Sequence, residues 1–429
     1  MNIKSLGLAL ATMLVLSLLA TGASASDWPT FQKNNYNNGV TSEDIPDDFT
    51  PSPSDTWTFT GASGGWLGWE SAPIIGDGIT YNVYYNGDIY AIGLTNGTQV
   101  WCNDELGGSG NFELSVPAYD DAQKRLYVGL SSGNASTSTG IHALHSGNGT
   151  AIWSNTSSTE FPSSHQLNTP IKYDSGQDAI YFGSTHMSGT YTTDDGYFYC
   201  VDADTGVVNW KYDNDCGFYF TSPAIIGNYV VVGDDDGTVR VFDLDDGDVV
   251  DSIETSSIQA GAGSIRSGIV YDDGTIYYTT TEGYLIAIGF NSATGDLDGN
   301  DTDSETTGAR TTTTPAVTSD YVYVGTDGSA VKAYERSTLT CLDTCNTNGP
   351  VKASPVVTTY PSGEERVYVT TNTASGRLYA CTFDTTDEEF SGSPYWGPTG
   401  SSYTLQGIAF ADSWLVYGND NKKIFGLTE

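Results

Sequence analysis

Basic residues are scarce. The 429-residue chain carries 16 Lys+Arg against 53 Asp+Glu, a formal net charge of −37. No run of Lys or Arg exceeds two residues. Binding a polyanion requires a basic face that releases its counterions, so nucleic acid is excluded as a partner. An anionic membrane surface is disfavoured for the same reason. Long apolar runs are absent beyond residue 20, which leaves no later stretch fit to span a bilayer. Helical periodicity is missing, as are a P-loop and a C-x-x-C-H haem-attachment sequence. Histidine is limited to His142, His145, His165 and His186. The first two read as structural. His165 and His186 belong to one repeat and could approach each other.

What is present points to a β-rich, exported protein. The chain has 50 glycines and 28 tyrosines, the composition of tight turns and pleated sheets. Lys4 and the apolar run Leu6–Ala20, followed by Ala23-Ser24-Ala25, read as a signal peptide over residues 1–25 with cleavage before Ser26. No cysteine stands at that point to carry a lipid. The expected destination is extracellular, cell-surface or, where an outer membrane exists, periplasmic. Sequons at Asn96, Asn134, Asn148, Asn155 and Asn300 are candidates for glycosylation. Six cysteines suit an oxidising compartment. Cys200 with Cys216 and Cys341 with Cys345 are near enough in sequence for local disulfides, although spacing does not fix connectivity.

One unit then repeats eight times. Ser222-Pro223-Ala224-Ile225-Ile226-Gly227 leads into Tyr229–Gly233, an Asp236-Gly237 turn and Thr238–Asp243. The same opening recurs at Pro73, Pro117, Pro170, Pro315 and Pro355, and without proline at Gly268 and Gly407, at spacings of 40 to 53 residues. Within each copy, apolar runs of strand length stop at Gly/Asp/Asn turns. Four short antiparallel strands per repeat describe a β-propeller blade. The expected fold is therefore all-β, an eight-bladed propeller over residues 55–429 behind an N-terminal extension at 26–54. Trp101, Trp153 and Trp210 recur on the fourth strand and are expected to dock blade on blade. The last copy lacks a fourth strand, and an orphan strand with Trp57 precedes the first copy. That strand is expected to complete the C-terminal blade and close the ring.

The pattern of residues 168–252, S-P-A-I, then Y-V-V-V-G, D-G and A-x-D-x-x-T-G-x-x-x-W, resembles the PQQ-like (quinoprotein-type) propeller repeat. The resemblance spans residues 27–429 and implies the fold. It leaves three functions: a quinone-dependent or calcium-dependent oxidoreductase, an envelope assembly factor, and a surface binding or scaffold protein. A quinoprotein dehydrogenase would need adjacent cysteines, a tryptophan platform, a Glu/Asn/Asp calcium set and an Asp base. No Cys-Cys dipeptide occurs and no such constellation is recognisable, so neither catalysis nor a bound quinone is expected. The binding module is the preferred reading, with envelope or extracellular proteins or glycans as partners.

Ligands of ring folds bind at the axial mouths, reached by the residues that lead into each blade. These are Trp69, Glu70, Glu113, His165, Gln166, Phe218, Phe220, Arg266, Arg310, Lys352 and Gln406. Arg266, Arg310 and Lys352 stand out in so acidic a chain and suit an anionic or sugar-like ligand. The alternative is that each pairs with a nearby carboxylate. Asp296, Asp298, Asn300 and Asp303 place oxygen donors at intervals that suit calcium, while hairpin turns account for the same residues without a metal.

Overall fold

The computed structural model describes residues 27–43, 49, 51, 52, 54–62, 68, 69, 71–106, 115–131, 140–188, 192, 193, 195–405 and 407–428. The proposed signal peptide, Glu70, Glu113, Asn134 and Gln406 lie outside the described residues. Eight antiparallel blades form a ring, numbered here in chain order from the repeat at Pro73. Blade four shows the pattern: Ala224–Ile226 innermost, then Tyr229–Gly233, Thr238–Asp243 and Val249–Glu254 outermost. The first three strands of each blade are largely buried because both faces meet neighbouring blades. The outer strand is half exposed and alternates, as in Val249–Glu254.

The ring closes as expected. Thr56–Thr60 pairs antiparallel with Lys423–Leu427, which sets Trp57 opposite Gly426 in blade eight. Both ends of the chain thus share one sheet, and no blade is left with a missing strand.

Residues 28–43 are woven into the ring. They run across the innermost strands and meet all eight blades in order. Trp28 exchanges backbone bonds with Ile75, and the carbonyls of Pro29, Asn35, Tyr36, Asn38 and Gly39 accept from Tyr119, Ile225, Tyr271, Val317 and Val357. Thr30 Oγ1 donates to Ile171 O in blade three, and Glu43 accepts from Ser413 N in blade eight. Val40–Thr41 adds a parallel strand to blade seven. Lys172 is fully buried and donates to the carbonyls of Phe31 and Asn34. Burial without a carboxylate holds its ammonium well below the usual lysine range. The segment closes one side of the axial channel.

Blade docking takes two forms. Trp57, Trp101, Trp153 and Trp210 each donate an indole N–H to a carbonyl of the next blade, Leu94, Ser146, Ala203 and Leu244, at 2.7–3.0 Å. Each indole lies on the turn glycine of that next blade. A β carbon at Gly97, Gly149, Gly206 or Gly247 would stand 2.5–2.7 Å from the ring. Those glycines also hold positive φ of 65–75°, so two demands exclude any other residue there. In blades four to six the position of the tryptophan is taken by Asp251, Asp303 and Asp343. Asp251 accepts from Leu297 N and Asp343 from Phe390 N, both in the following blade. Arg336 of blade six reaches back to Asp272 at 2.5 Å and to the Tyr277 hydroxyl of blade five.

The cysteines depart from the local pairing. Cys345 is bonded to Cys381, joining blade six to blade seven, while Cys102, Cys200, Cys216 and Cys341 are free thiols. Cys341 and Cys345 are four residues apart on one extended strand, far beyond the reach of a disulfide. Cys200 lies in a buried strand of blade three and Cys216 in the connection after that blade, where Asn214 donates to its sulfur.

Candidate functional site

A cavity of about 230 Å³ opens on the ring axis. Its wall is built from the segments leading into successive blades: Asn168, Tyr219 and Phe220, Arg266, Arg310 and Lys352. Phe31 of the N-terminal segment closes it from one side. Arg266 and Lys352 stand four residues before the first strands of blades five and seven, Arg310 six before that of blade six, and the ring brings the three to one cavity. Among the described residues, no Asp or Glu lines the cavity.

The three cations differ in their engagement. Arg266 Nε donates to Asp235 Oδ1 at 2.8 Å, and its guanidinium lies 4.6 Å from the Tyr219 ring centre. Lys352 Nζ lies 2.6 Å from Asp327 Oδ1. Asp235 and Asp327 occupy the turn between the second and third strands of the preceding blade. The corresponding acid before Arg310 is Glu282, which instead accepts from Gly263 N and the Thr281 hydroxyl. Arg310 is exposed and forms no ion pair among the described residues. Pairing with neighbouring carboxylates thus accounts for two of the three.

Other residues expected at the mouth go elsewhere. Trp69 is buried among Tyr84, Tyr90 and Phe59. Phe218 packs on Phe198 inside blade three. His165 is buried and Gln166 pairs in a strand with Thr185. Side chains of an extended lead-in segment alternate in direction, and the aromatic ones follow their apolar neighbours inward. His165 and His186 do meet. Their rings stack at 5.2 Å and both face Asp195, with His186 Nδ1 at 2.7 Å and His165 Nε2 at 3.5 Å. Burial pushes the His165 imidazole below its ordinary value, opposed by Asp195.

Asn168 and Tyr219 were not among the expected ligand contacts. Asn168 is buried with neither amide atom hydrogen-bonded. Its signal in the sequence was faint: the residue two before the blade-opening proline is Ser71, Ser115, Thr221, Thr313 or Ala353 in other repeats, and an amide only here.

The calcium candidates do not converge. Asp296, Asp298 and Asn300 are strung along the outer strand Asp296–Thr306, with Asp303 beyond its bulge. No group of three or more His, Cys, Asp or Glu among the described residues is placed to hold a metal. The cavity wall likewise holds no carboxylate, cysteine or tryptophan among its described residues, so its donor set does not fit a calcium-held quinone. Of the sequons, Asn96, Asn148 and Asn300 are exposed, whereas the Asn155 amide donates to Gly206 O of the next blade.

No described helix is long and apolar enough to cross a membrane. No curated protein matches the chain. Among solved structures it resembles BamB from Moraxella catarrhalis, with a TM-score of 0.60 and 15% identity over 87% of this chain and 98% of that one. A computationally designed protein, Ika8, matches with a TM-score of 0.59 at 15% identity over 85% of this chain and 98% of that one. The quinohemoprotein alcohol dehydrogenase of Comamonas testosteroni matches with a TM-score of 0.67 at 13% identity, over 94% and 80%. At these identities the likeness establishes the propeller fold and no activity. The repeat family described as "Outer membrane protein assembly factor BamB" matches residues 137–426, more than half of the sequence, and the chain belongs to this PQQ-like propeller family.

Proposed function

We propose that the protein is an exported binding or scaffold module that holds an anionic group of a surface glycan or envelope protein in its axial cavity, without catalysis. One observation carries this reading. In a chain with 53 acidic and 16 basic residues, the axial cavity gathers three cations and no carboxylate among its described lining. A site open at one mouth, walled by aromatics and held by a rigid closed ring suits recognition. Capture of an acidic partner is favoured by the short-range field of Arg310, while the acidic exterior repels non-specific polyanions.

The same family includes an assembly factor by its description, and an envelope assembly role for this chain is the second reading. It predicts a protein partner rather than a glycan.

The test is retention on the mature protein, residues 26–429, of acidic, neutral and basic oligosaccharides and peptides at two ionic strengths. Acidic ligands are expected to be retained selectively, with salt weakening them and Arg310→Gln reducing them most. Retention independent of ligand charge would overturn the proposal.

A further inference from the structure

Asn168 departs from its counterparts in the ring. In the blades opened by Pro73, Pro117 and Pro315 the residue at this position is small and tied to the backbone, whereas Thr221 Oγ1 is buried and unpaired and Ala353 carries no polar side-chain atom. Ser71 Oγ accepts from Val83 N, Ser115 Oγ donates to Thr169 O, and Thr313 Oγ1 donates to Gly325 O. Asn168 is 2% exposed, lines the axial cavity and leaves both Nδ2 and Oδ1 unpaired. A buried amide without partners is costly to keep, so its retention points to a partner supplied from outside. That partner has to accept one hydrogen bond and donate another, as a hydroxyl or adjacent hydroxyls do.

Arg310 adds the second demand. Its planar, unpaired guanidinium is matched by a carboxylate, which it binds through two parallel bonds. Phe31 and Phe220 add a third, an apolar ring face. A cavity of about 230 Å³ falls below the roughly 300 Å³ at which drug-sized pockets begin, so it admits a single small ring. Free amino acids meet the carboxylate demand but bring an ammonium, and no carboxylate in the described lining is there to receive it.

We infer that the axial cavity takes a hexuronate, a pyranose ring bearing one carboxylate, with Arg310 on the carboxylate and Asn168 on the hydroxyls. Arg266 and Lys352 are held by Asp235 and Asp327 and shape the wall. This rests on the anion-binding reading of the same cavity. The ligand comes either as the free sugar acid or as the end of an acidic polysaccharide.

Isothermal titration of the mature protein at matched ionic strength tests it, with galacturonate, glucuronate, an oligogalacturonide, galactose and acetate. Expected are saturable binding of at least one hexuronate, at least tenfold weaker binding of galactose and acetate, and at least tenfold loss in Arg310→Gln. Asn168→Ser, the residue used by other blades, should weaken hexuronate at least fivefold while leaving acetate unchanged. Thermal melts of both variants confirm folding. Tighter binding of the oligogalacturonide would identify a polymer end as the source, and equal binding the free sugar. Acetate binding as well as the hexuronates would overturn the uronate assignment while leaving an anion site. Failure of every anion would overturn both.

Discussion

The two halves of the ring are fastened by different chemistry. From blade eight through blade four, an indole fills each wedge and donates to the next blade, as Trp101 does to Ser146 O over Gly149. From blade four through blade seven the same position holds aspartate, and the joints are made by carboxylate-to-backbone bonds, by Arg336 and by Cys345–Cys381. The difference lies in what each joint withstands. An indole joint rests on buried apolar area, insensitive to redox and weakly sensitive to pH. An aspartate joint exposes polar atoms, and the disulfide compensates where no indole is present. Wherever the chain meets reductant, the second half is the vulnerable one. The cations of the axial cavity, Arg266, Arg310 and Lys352, are carried by blades five to seven.

Substitutions sharpen this comparison. Trp101→Ala removes a large buried ring and leaves a cavity over Gly149, and the expected loss is about 3–5 kcal/mol in denaturant unfolding. Cys345→Ser with Cys381→Ser opens a loop whose ends are 36 residues apart and should cost about 3–4 kcal/mol. Reductant should reproduce that loss in wild type and add nothing to the double variant. Acid provides a third test. His142 is buried in blade two, and burial pushes its imidazole down to about 4. Its folded value lies below the unfolded value of about 6.5, so its contribution is intact above that pH and is lost as pH falls from there toward 4. The loss should reach on the order of 3 kcal/mol, and His142→Phe should flatten the melting temperature over that window. The smallest effect is expected from Asp343→Ala, about 1–2 kcal/mol for one unpaired backbone N–H. If it equals Trp101→Ala, the two halves do not differ as described.

Much of the fold was legible because a propeller writes its period into the chain. Eight openings, the docking tryptophans and the orphan strand of Trp57 gave the blade count and the closure. What the glycines do was less visible. Gly97, Gly149 and Gly206 close turns of their own blades at positive φ, and each also receives the tryptophan of the blade before. Gly247, in a blade with Asp251 where the tryptophan would stand, was the available sign. The disulfide was hidden because pairing depends on which strands face across a blade boundary. Residues 28–43 read as an extension, since their bonds to the ring run through backbone carbonyls and through the polar side chains of Thr30, Gln32, Asn35 and Asn37, which look no different from those of a solvated linker. In the cavity the cations were visible as rare charges shortly before blade openings, but Phe31 and Asn168 depended on tertiary placement.

The most direct measurement is a crystal structure of residues 26–429 grown with a saturating hexuronate. Density for one sugar ring inside the axial cavity, with its carboxylate on Arg310 and hydroxyls on Asn168, is the expected result. An empty cavity, or a ligand seated only on the outer strands, would contradict the account.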